Sequence, residues 1–337
     1  MSDLYPLKFE PILKEKVWGG NTLADEYGKN GAGLKNIGES WEISAVSGNL
    51  SVVSNGFLAG NNIEEILEVY MGDITGDEVF ERYSIEFPLL IKLIESKDDL
   101  SVQVHPGDEL AKNRHNAFGK TEMWYILKSD EGAKIYTGFA EPVTRELYME
   151  ALRNNALPGI LNVEYPVPGD VFFTPAGRIH AIGRGIVLAE IQQTSDVTYR
   201  IYDWDRKNNR GKSRELHIDL AIDAIDFSAA GPGGMRKEIT ENTPANVVSC
   251  EYFTANIIHI TRPFDRDYNL LDSFVIFLCT EGSYRLRWEG KSVSVSKGET
   301  ILLPAMIKDI VLDPEPDATI LEIYIETKLQ NHNQLTY

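Results

Sequence analysis

Two of the six histidines in the sequence lie in surroundings that favour metal binding. Ser101 and Gln103 alternate with apolar residues before His105, so all three side chains point to the same face of a strand. Pro106 follows at once and predicts the end of that strand. Polar side chains on one strand face indicate a wet cavity or a metal site. A solvent-facing side of an antiparallel strand would explain the same pattern.

Two further residues are candidate ligands. Glu122 precedes an apolar run, and His180 closes a Pro-Ala-Gly-Arg-Ile segment between two apolar runs. Either residue alone is more typical of a structural role. Together with Gln103 and His105 they form a mixed nitrogen and oxygen set, which suits Zn and also Fe, Mn or Ni. No cysteine belongs to the set, so we expect a catalytic metal with room for a substrate.

The remaining histidines lack such surroundings, and we interpret them as structural or surface residues: His115, His217, His259 and His332.

A second polar segment, residues 186–206, begins as a buried strand and then becomes polar while staying rich in aromatic residues. Arg200 lies in this aromatic part. An arginine in such surroundings either pairs with a carboxylate that braces a turn, or binds an anionic ligand. The pattern alone leaves both interpretations open.

The elements that must position these residues are mostly short β-strands. Strands are predicted at 87–94, 123–127, 170–174, 186–192, 274–279 and 299–303. Helices are predicted at 62–71, 108–115, 144–155 and 213–227. Strands this short and this frequent indicate a mainly β protein, a sandwich or barrel with a few added helices. A β-barrel can bring residues from distant chain positions into one cavity.

A faint internal repeat predicts two copies of the β unit. Residues 169–177 and 298–306 both read Gly-acidic, four strand residues, then Pro-Ala. Only the first copy continues to a histidine, so we expect the second copy to bind no metal in this way. With 228–246 as the best linker, the predicted units are 1–240, which is catalytic and metal-binding, and 241–337.

Composition limits the possible partners. The 337 residues carry 33 Lys+Arg and 51 Asp+Glu, a net charge of −18, which argues against nucleic acid and anionic membranes as partners. Two cysteines are too few for a disulfide framework. No apolar run approaches the ~20 residues of a membrane span and no signal-peptide pattern opens the sequence. We expect a cytoplasmic protein, as a monomer or homodimer.

Several long stretches in one order resemble mannose-6-phosphate isomerases (phosphomannose isomerases), most closely the short class I form of bacteria. They are Val17-Trp18-Gly19-Gly20, Ile37-Gly38-Glu39-Ser40-Trp41-Glu42, Ser101-Val102-Gln103-Val104-His105-Pro106, Gly119-Lys120-Thr121-Glu122-Met123-Trp124-Tyr125 and 175–206. Residues 169–180 also fit the second cupin motif, Gly-x5-Pro-x-Gly-x2-His. The resemblance implies two cupin-type jelly-roll barrels and a zinc-dependent isomerase of mannose 6-phosphate and fructose 6-phosphate.

The resemblance also assigns roles to residues. Its metal ligands fall on Gln103, His105, Glu122 and His180, and its active-site arginine on Arg200. In longer members the residues that end at the metal-binding glutamate are His-Lys-Pro-Glu. This chain has Gly119-Lys120-Thr121-Glu122 at that position, so a mechanism that uses that histidine as the base cannot operate here.

The implied reaction moves a proton between C2 and C1 through a cis-enediol(ate). It needs a base and positive charge near both oxygens. Asp196, Glu190 and Lys120 are the candidate bases, with Asp196 preferred, and Ser101, Lys92, Lys120 and Arg200 are candidate substrate-binding residues. Because the substrate is an anion, the active site must be locally positive in an acidic protein.

Two alternatives fit the same ligand types. One is an Fe(II)-dependent cupin oxygenase, although such sites usually pair two histidines as His-x-His and this chain has Gln103 in the first position. The other is a non-catalytic sugar-binding cupin, which the retained ligands of the first copy disfavour.

Overall fold

The computed structural model describes residues 4–207, 211–228 and 233–327. His332 and part of the predicted linker, residues 229–232, lie outside these ranges. Within them the protein is mainly β, as predicted. The first thirteen strands are β1 (Ile12–Gly20), β2 (Ile37–Ile43), β3 (Ala45–Val46), β4 (Asn49–Leu50), β5 (Leu89–Ser96), β6 (Val102–Val104), β7 (Glu122–Ser129), β8 (Ile135–Phe139), β9 (Leu161–Glu164), β10 (Val171–Thr174), β11 (His180–Ile182), β12 (Ile186–Gln193) and β13 (Tyr199–Tyr202). The later strands are β14 (Gly234–Met235), β15 (Ala245–Ser249), β16 (Thr254–Ile260), β17 (Phe264–Asp267), β18 (Val275–Trp288), β19 (Lys291–Ser296), β20 (Thr300–Leu303) and β21 (Asp309–Tyr324).

The helices are short and lie between strands. They are α1 (Thr22–Tyr27), α2 (Ile63–Tyr70), α3 (Gly72–Thr75), α4 (Asp77–Tyr83), α5 (Asp108–His115), α6 (Arg145–Arg153) and α7 (Ile218–Ala221), with a 3₁₀ turn at Leu157–Ile160. A capping box starts α2, because Asn62 accepts from the Glu65 amide and the Glu65 carboxylate accepts from the Asn62 amide. Thr144 caps α6. No helix in the described ranges is long and apolar enough to cross a membrane.

The helix predicted at 213–227 is wrong for most of its length. Only Ile218–Ala221 is helical. Ser213 instead pairs with Lys207 in an antiparallel bridge, and Arg214 is bound to Asp203. These contacts keep the segment before His217 out of a helix, so tertiary contacts override its local preference.

Two antiparallel sheets build the first part of the chain. The larger has the order β1-β2-β5-β12-β7-β10-β14 and the smaller the order β13-β6-β11-β8-β9. Their facing sides share a core, since Trp124 and Leu188 of the larger sheet cluster with Ile135 and Ile182 of the smaller one. The space between these two sheets is where polar residues of both can meet.

The larger sheet is buried on both faces, which explains why its strands read as continuous apolar runs. Alternate residues, such as Leu93 and Ile191, belong to a core shared with Phe274 and Leu321 of the C-terminal part. The intervening residues of the same strands face the smaller sheet. The burial of β12 is therefore complete along its eight residues.

The C-terminal sheet has the order β15-β16-β21-β18-β19, with β17 and β20 paired to its long strands β21 and β18. The repeat seen in the sequence recurs in the pairing. Strand β10 pairs with the start of β7, and β20 pairs with the start of β18. Cys279 is fully buried in β18, and both cysteines are unpaired.

A buried carboxylate, Glu322, occupies the interior of the C-terminal sheet. Arg266 lies 2.8 Å from Glu322 Oε1 and Asn256 donates to Oε2 at 2.8 Å, while Tyr268 donates to Oε1 at 2.5 Å. No cluster of metal ligands is found here among the described residues. In the C-terminal sheet the guanidinium of Arg266 therefore supplies the positive charge that balances the buried carboxylate of Glu322.

Glu322→Ala is expected to lower the free energy of unfolding by about 3 to 5 kcal/mol, because it leaves Arg266 without its buried partner. Urea unfolding measures the change. Asp313→Ala on the same strand is the matched control, since its pair with Arg287 is half-exposed and contributes at most about 1 kcal/mol. Equal losses for the two variants would contradict the assignment.

Candidate metal centre and active site

Three predicted ligands meet between the two sheets. The ligand atoms of His105, Glu122 and His180 all lie within 4.8 Å of one another, and all three side chains are buried. Glu122 opens β7 of the larger sheet, whereas His180 opens β11 of the smaller one. His105 follows β6 directly. The pairing of the strands explains how residues far apart in sequence form one cluster.

Each histidine is held with its Nε2 towards the cluster. His105 Nδ1 donates to the carbonyl of Val197 at 3.0 Å, and His180 Nδ1 donates to the carbonyl of Arg178 at 2.8 Å. A carbonyl can only accept, so the proton is on Nδ1 and Nε2 is the nitrogen with a lone pair. In the described structure that Nε2 accepts from Lys120 Nζ in His105 and from the Gln103 amide in His180. Metal-binding histidines are oriented in this way.

Glu122 completes the donor set. Its oxygens lie 3.4 Å from the Nε2 atoms of His105 and His180. Lys120 Nζ lies 3.0 Å from both Glu122 Oε2 and His105 Nε2. Lys120 therefore pairs with Oε2, whereas Oε1 is buried without a hydrogen bond among the described residues. Two imidazole nitrogens beside this carboxylate form a donor set that suits a metal ion.

Burial dominates the titration of this cluster. It lowers the pKa of His180 to about 4 and, with the charge of Lys120, lowers the pKa of His105 well below its usual value. Burial and the nearby charge of Glu190 raise the pKa of Glu122. The histidines are therefore neutral and able to coordinate at neutral pH.

Gln103 is the fourth predicted ligand. It is paired with His180 across β6 and β11 and with Arg200 across β6 and β13. Gln103 Nε2 lies 3.3 Å from His180 Nε2, so its amide borders the cluster.

A second polar network backs the cluster on the larger sheet. Lys92 donates to Glu190 at 2.8 Å and to Gln192 at 2.7 Å, and Trp124 donates to the other Glu190 oxygen at 2.9 Å. Burial opposes the charge on Glu190, but Lys92 and Lys120 lower its pKa. Glu190 is thus a fixed carboxylate with both oxygens in use.

A cavity of about 390 Å³ opens beside the cluster, a size suited to a small ligand. The other predicted site residues line it: Ser101, Gln103, Lys92, Lys120, Glu190, Asp196 and Arg200. Six lysines and arginines and three carboxylates contribute to the lining, so it is locally positive in a chain of net charge −18.

Arg200 has no carboxylate partner within the described ranges. Its Nη1 donates to the carbonyl of Glu215 at 2.9 Å, and its Nε is buried without a hydrogen bond. The aspartate that could have braced the turn, Asp203, is bound by Arg214 instead. The geometry therefore favours the interpretation in which Arg200 is available to an anion.

Asp196 differs from Glu190 in its surroundings. It is exposed at the rim of the cavity, and its carboxylate has no hydrogen bond or ion pair within the described structure. A carboxylate without partners at a cavity mouth is accessible to a substrate, whereas both oxygens of Glu190 are already bound by Lys92 and Trp124.

Sequence reasoning missed several residues of this cavity: Lys14, Lys16, Asn49 and Arg214, and it gave no role to Trp18, Glu39 or Trp41. The signal existed for some. Lys14 and Lys16 alternate with apolar or exposed residues before Trp18, which places the three on one face of β1. Lys14 is paired with Glu39 across β1 and β2.

Comparison with known proteins identifies the class. The family model of the phosphomannose isomerase type I catalytic domain matches residues 6–132. The family model of the mannose-6-phosphate isomerase cupin domain matches residues 243–317. The mainly β fold is thus a cupin fold with a candidate metal site.

Relatives and structures agree over nearly the whole chain. The chain is 33% identical to the mannose-6-phosphate isomerase ManA of Bacillus subtilis, covering 91% of this chain and 96% of that one. It is 34% identical to the enzyme of Streptococcus mutans, covering 91% and 95%. A crystal structure of the Bacillus subtilis mannose 6-phosphate isomerase superposes with a TM-score of 0.83 at 32% identity, covering 96% and 100%. The chain belongs to the type I phosphomannose isomerase family.

Proposed function

We propose that this protein interconverts mannose 6-phosphate and fructose 6-phosphate with one zinc ion held by His105, Glu122 and His180. The observation that carries the proposal is the buried His-Glu-His cluster at the base of a locally positive cavity, in a chain of this family. Gln103 borders the cluster and is the proposed fourth ligand.

The donor set supports zinc through its chemistry. Two neutral imidazoles and one carboxylate, without any thiolate, are typical of catalytic zinc sites that keep a position open. When bound, zinc would supply Lewis-acid stabilisation of negative charge on the sugar oxygens. The chain's own residues would bind the sugar, orient it and move the proton.

We assign acid–base work to the residues at the cavity wall. Asp196 is the proposed base, because its carboxylate is free and faces the cavity. Lys120, whose ammonium adjoins Glu122 and His105, would stabilise negative charge that develops on the enediolate oxygens. Glu190 would fix Lys92 and Trp124 in place at the base of the cavity.

The phosphate would lie at the mouth, near Arg200 and Lys14. Both are cations without a carboxylate partner in the described ranges, and Lys14 donates to Asn49. Lys92 was a candidate substrate-binding residue, but its ammonium is bound by Glu190 and Gln192. We therefore infer that Lys92 holds these side chains in position and does not bind the phosphate. Ser101 lines the cavity and remains a proposed contact to the sugar.

The two β units carry different parts of this function. We infer that residues 1–240 form the catalytic unit and 241–337 a supporting one, since the carboxylate inside the second unit is bound by Arg266 rather than arranged with histidines. The family match does not favour the oxygenase or the non-catalytic alternative.

A coupled assay for fructose 6-phosphate tests the proposal. The purified chain is expected to convert mannose 6-phosphate, to lose at least about 90% of the activity after dialysis against a chelator, and to regain it with Zn²⁺. Metal analysis before dialysis should find one zinc per chain. Isomerisation that survives complete metal removal would contradict the metal assignment, and no isomerisation at all would contradict the proposed function.

A further inference from the structure

The loop Gly119–Thr121 holds Lys120 beside the candidate metal cluster, and each of its three backbone amides donates a hydrogen bond. The Gly119 amide donates to Asp108 Oδ1 at 2.8 Å, and the Thr121 amide donates to Gln193 Oε1 at 2.9 Å. The Lys120 amide donates to the carbonyl of Pro106 at 3.1 Å. Two of these acceptors are side chains, so the loop depends on where those side chains are held.

Asp108 connects both side-chain supports. Its Oδ1 also accepts from Gln193 Nε2 at 3.0 Å, and its Oδ2 accepts from the Tyr252 hydroxyl at 2.6 Å. One carboxylate thus accepts from the loop itself, from the glutamine that binds the loop, and from a tyrosine.

The loop also packs tightly on the start of α5. A Cβ added to Gly119 would lie 2.7 Å from the Asp108 amide nitrogen and 2.9 Å from the carbonyl carbon of Gly107. Real side chains do not approach this closely, so only glycine permits the contact. A small displacement of Asp108 would therefore move the loop.

Tyr252 comes from the other half of the chain. It lies in the connection between β15 and β16 of the C-terminal sheet, 144 residues from Asp108. The hydrogen bond of its hydroxyl joins that sheet to the support of the active-site loop. None of the candidate metal ligands or cavity-lining residues described above comes from this C-terminal part.

We propose that Asp108 and Tyr252 are positioning residues for the reaction: Tyr252 of the C-terminal half orients Asp108, which with Gln193 holds the Gly119–Thr121 loop so that Lys120 Nζ stays beside Glu122. The inference rests on the proposed isomerase function. Because small misplacements of a catalytic group reduce turnover sharply, the effect is expected in kcat rather than in substrate binding.

The test compares metal-loaded, full-length variants in the coupled isomerase assay. Tyr252→Phe, which removes only the hydroxyl, is expected to lower kcat about three- to ten-fold with KM within two-fold. Asp108→Ala is expected to lower kcat by about ten-fold or more. Asp108→Asn should recover most of the loss, because its amide can accept from Gly119 and donate to Tyr252. The double variant Asp108→Ala/Tyr252→Phe should be no slower than Asp108→Ala alone.

Tyr83→Phe is the matched control. Tyr83 and Tyr252 line the same cavity of about 750 Å³, and the Tyr83 hydroxyl has no hydrogen bond within the described structure. This variant should keep the wild-type kcat. Amide hydrogen exchange provides a second measurement independent of activity: in Tyr252→Phe, exchange at Gly119 and Thr121 should accelerate while zinc content and Tm stay near wild type.

Three outcomes would overturn the proposal. They are an unchanged kcat with unchanged exchange in Tyr252→Phe, a loss that Tyr83→Phe shares, or a kcat that falls only as far as the folded fraction falls. If Asp108→Ala does not fold, Tyr252→Phe and Asp108→Asn decide the matter. A wild-type chain without isomerase activity would overturn the proposed function instead, and the exchange measurement would still test the support of the loop.

Discussion

Glu122→Gln is expected to lower kcat/KM by about three orders of magnitude and to reduce bound zinc to a small fraction of one ion per chain. The glutamine keeps the shape of the side chain but removes the negative charge that faces the two imidazoles. Its amide N–H groups could also donate to the Nε2 lone pairs that a metal ion would use. The fold should remain, because the amide oxygen of the glutamine can still accept from Lys120, which pairs with the carboxylate at 3.0 Å.

The measurement combines kinetics with metal analysis of the same preparation. Glu109→Gln is the control, since Glu109 lies exposed on α5, near the loop of Lys120 but outside the cluster. It should retain full zinc content and activity. A Glu122→Gln enzyme with one tightly bound zinc and near-normal kcat/KM would show that this carboxylate is not a ligand.

Arg200→Lys is expected to lower kcat/KM by about 10²-fold, and Arg200→Ala by about 10³-fold. The guanidinium is fixed by the carbonyl of Glu215 and leaves its Nε buried and free, a fork that a lysine cannot reproduce. Burial and the charge of Arg214 lower the pKa of Arg200, so an anion bound there would relieve repulsion.

Comparison with Lys14→Ala separates the possible roles of Arg200. Lys14 donates to Asn49 at the mouth, and its loss should raise KM for mannose 6-phosphate about ten-fold while kcat changes little. If Arg200 serves only the phosphate, its variants will show the same KM effect. If it stabilises charge in the reaction, kcat will fall as well. Arg184→Lys, an exposed exchange, should change neither value, and near-normal kcat/KM in Arg200→Ala would contradict both roles.

The metal cluster could be predicted because it depends on strand alternation. The alternation of Ser101, Gln103 and His105 with apolar residues predicts one polar strand face. The many short strands predict a barrel or sandwich, in which polar faces of different strands can line one cavity. The partners of each strand could not be read in the same way. The pairing that brings Arg200 beside Gln103 follows from the tertiary fold, not from any local signal.

The wrong helix and the missed residue Tyr252 also depend on tertiary contacts that no local sequence pattern indicates. The segment after Ser213 has the composition of a helix start, yet Asp203 binds Arg214 and the segment before His217 is not helical. Tyr252 lies in a connection with no motif, and only the packing of the C-terminal sheet against the first part brings its hydroxyl to Asp108. Lys14 was missed because lysines that alternate along a strand are ordinarily solvated residues.

The larger sheet, buried on both faces, has a consequence for how the sequence can vary. Along β12, Ile191 belongs to the core shared by both halves, whereas its neighbours Glu190 and Gln192 accept hydrogen bonds from Lys92 on the opposite face of the sheet. Adjacent positions therefore tolerate different replacements. An apolar exchange at Ile191 changes only packing, while an equally small exchange at Glu190 disturbs the ion pair with Lys92. If the permitted substitutions were mapped along this strand, positions limited by core packing would alternate with positions limited by the polar network of the candidate active site.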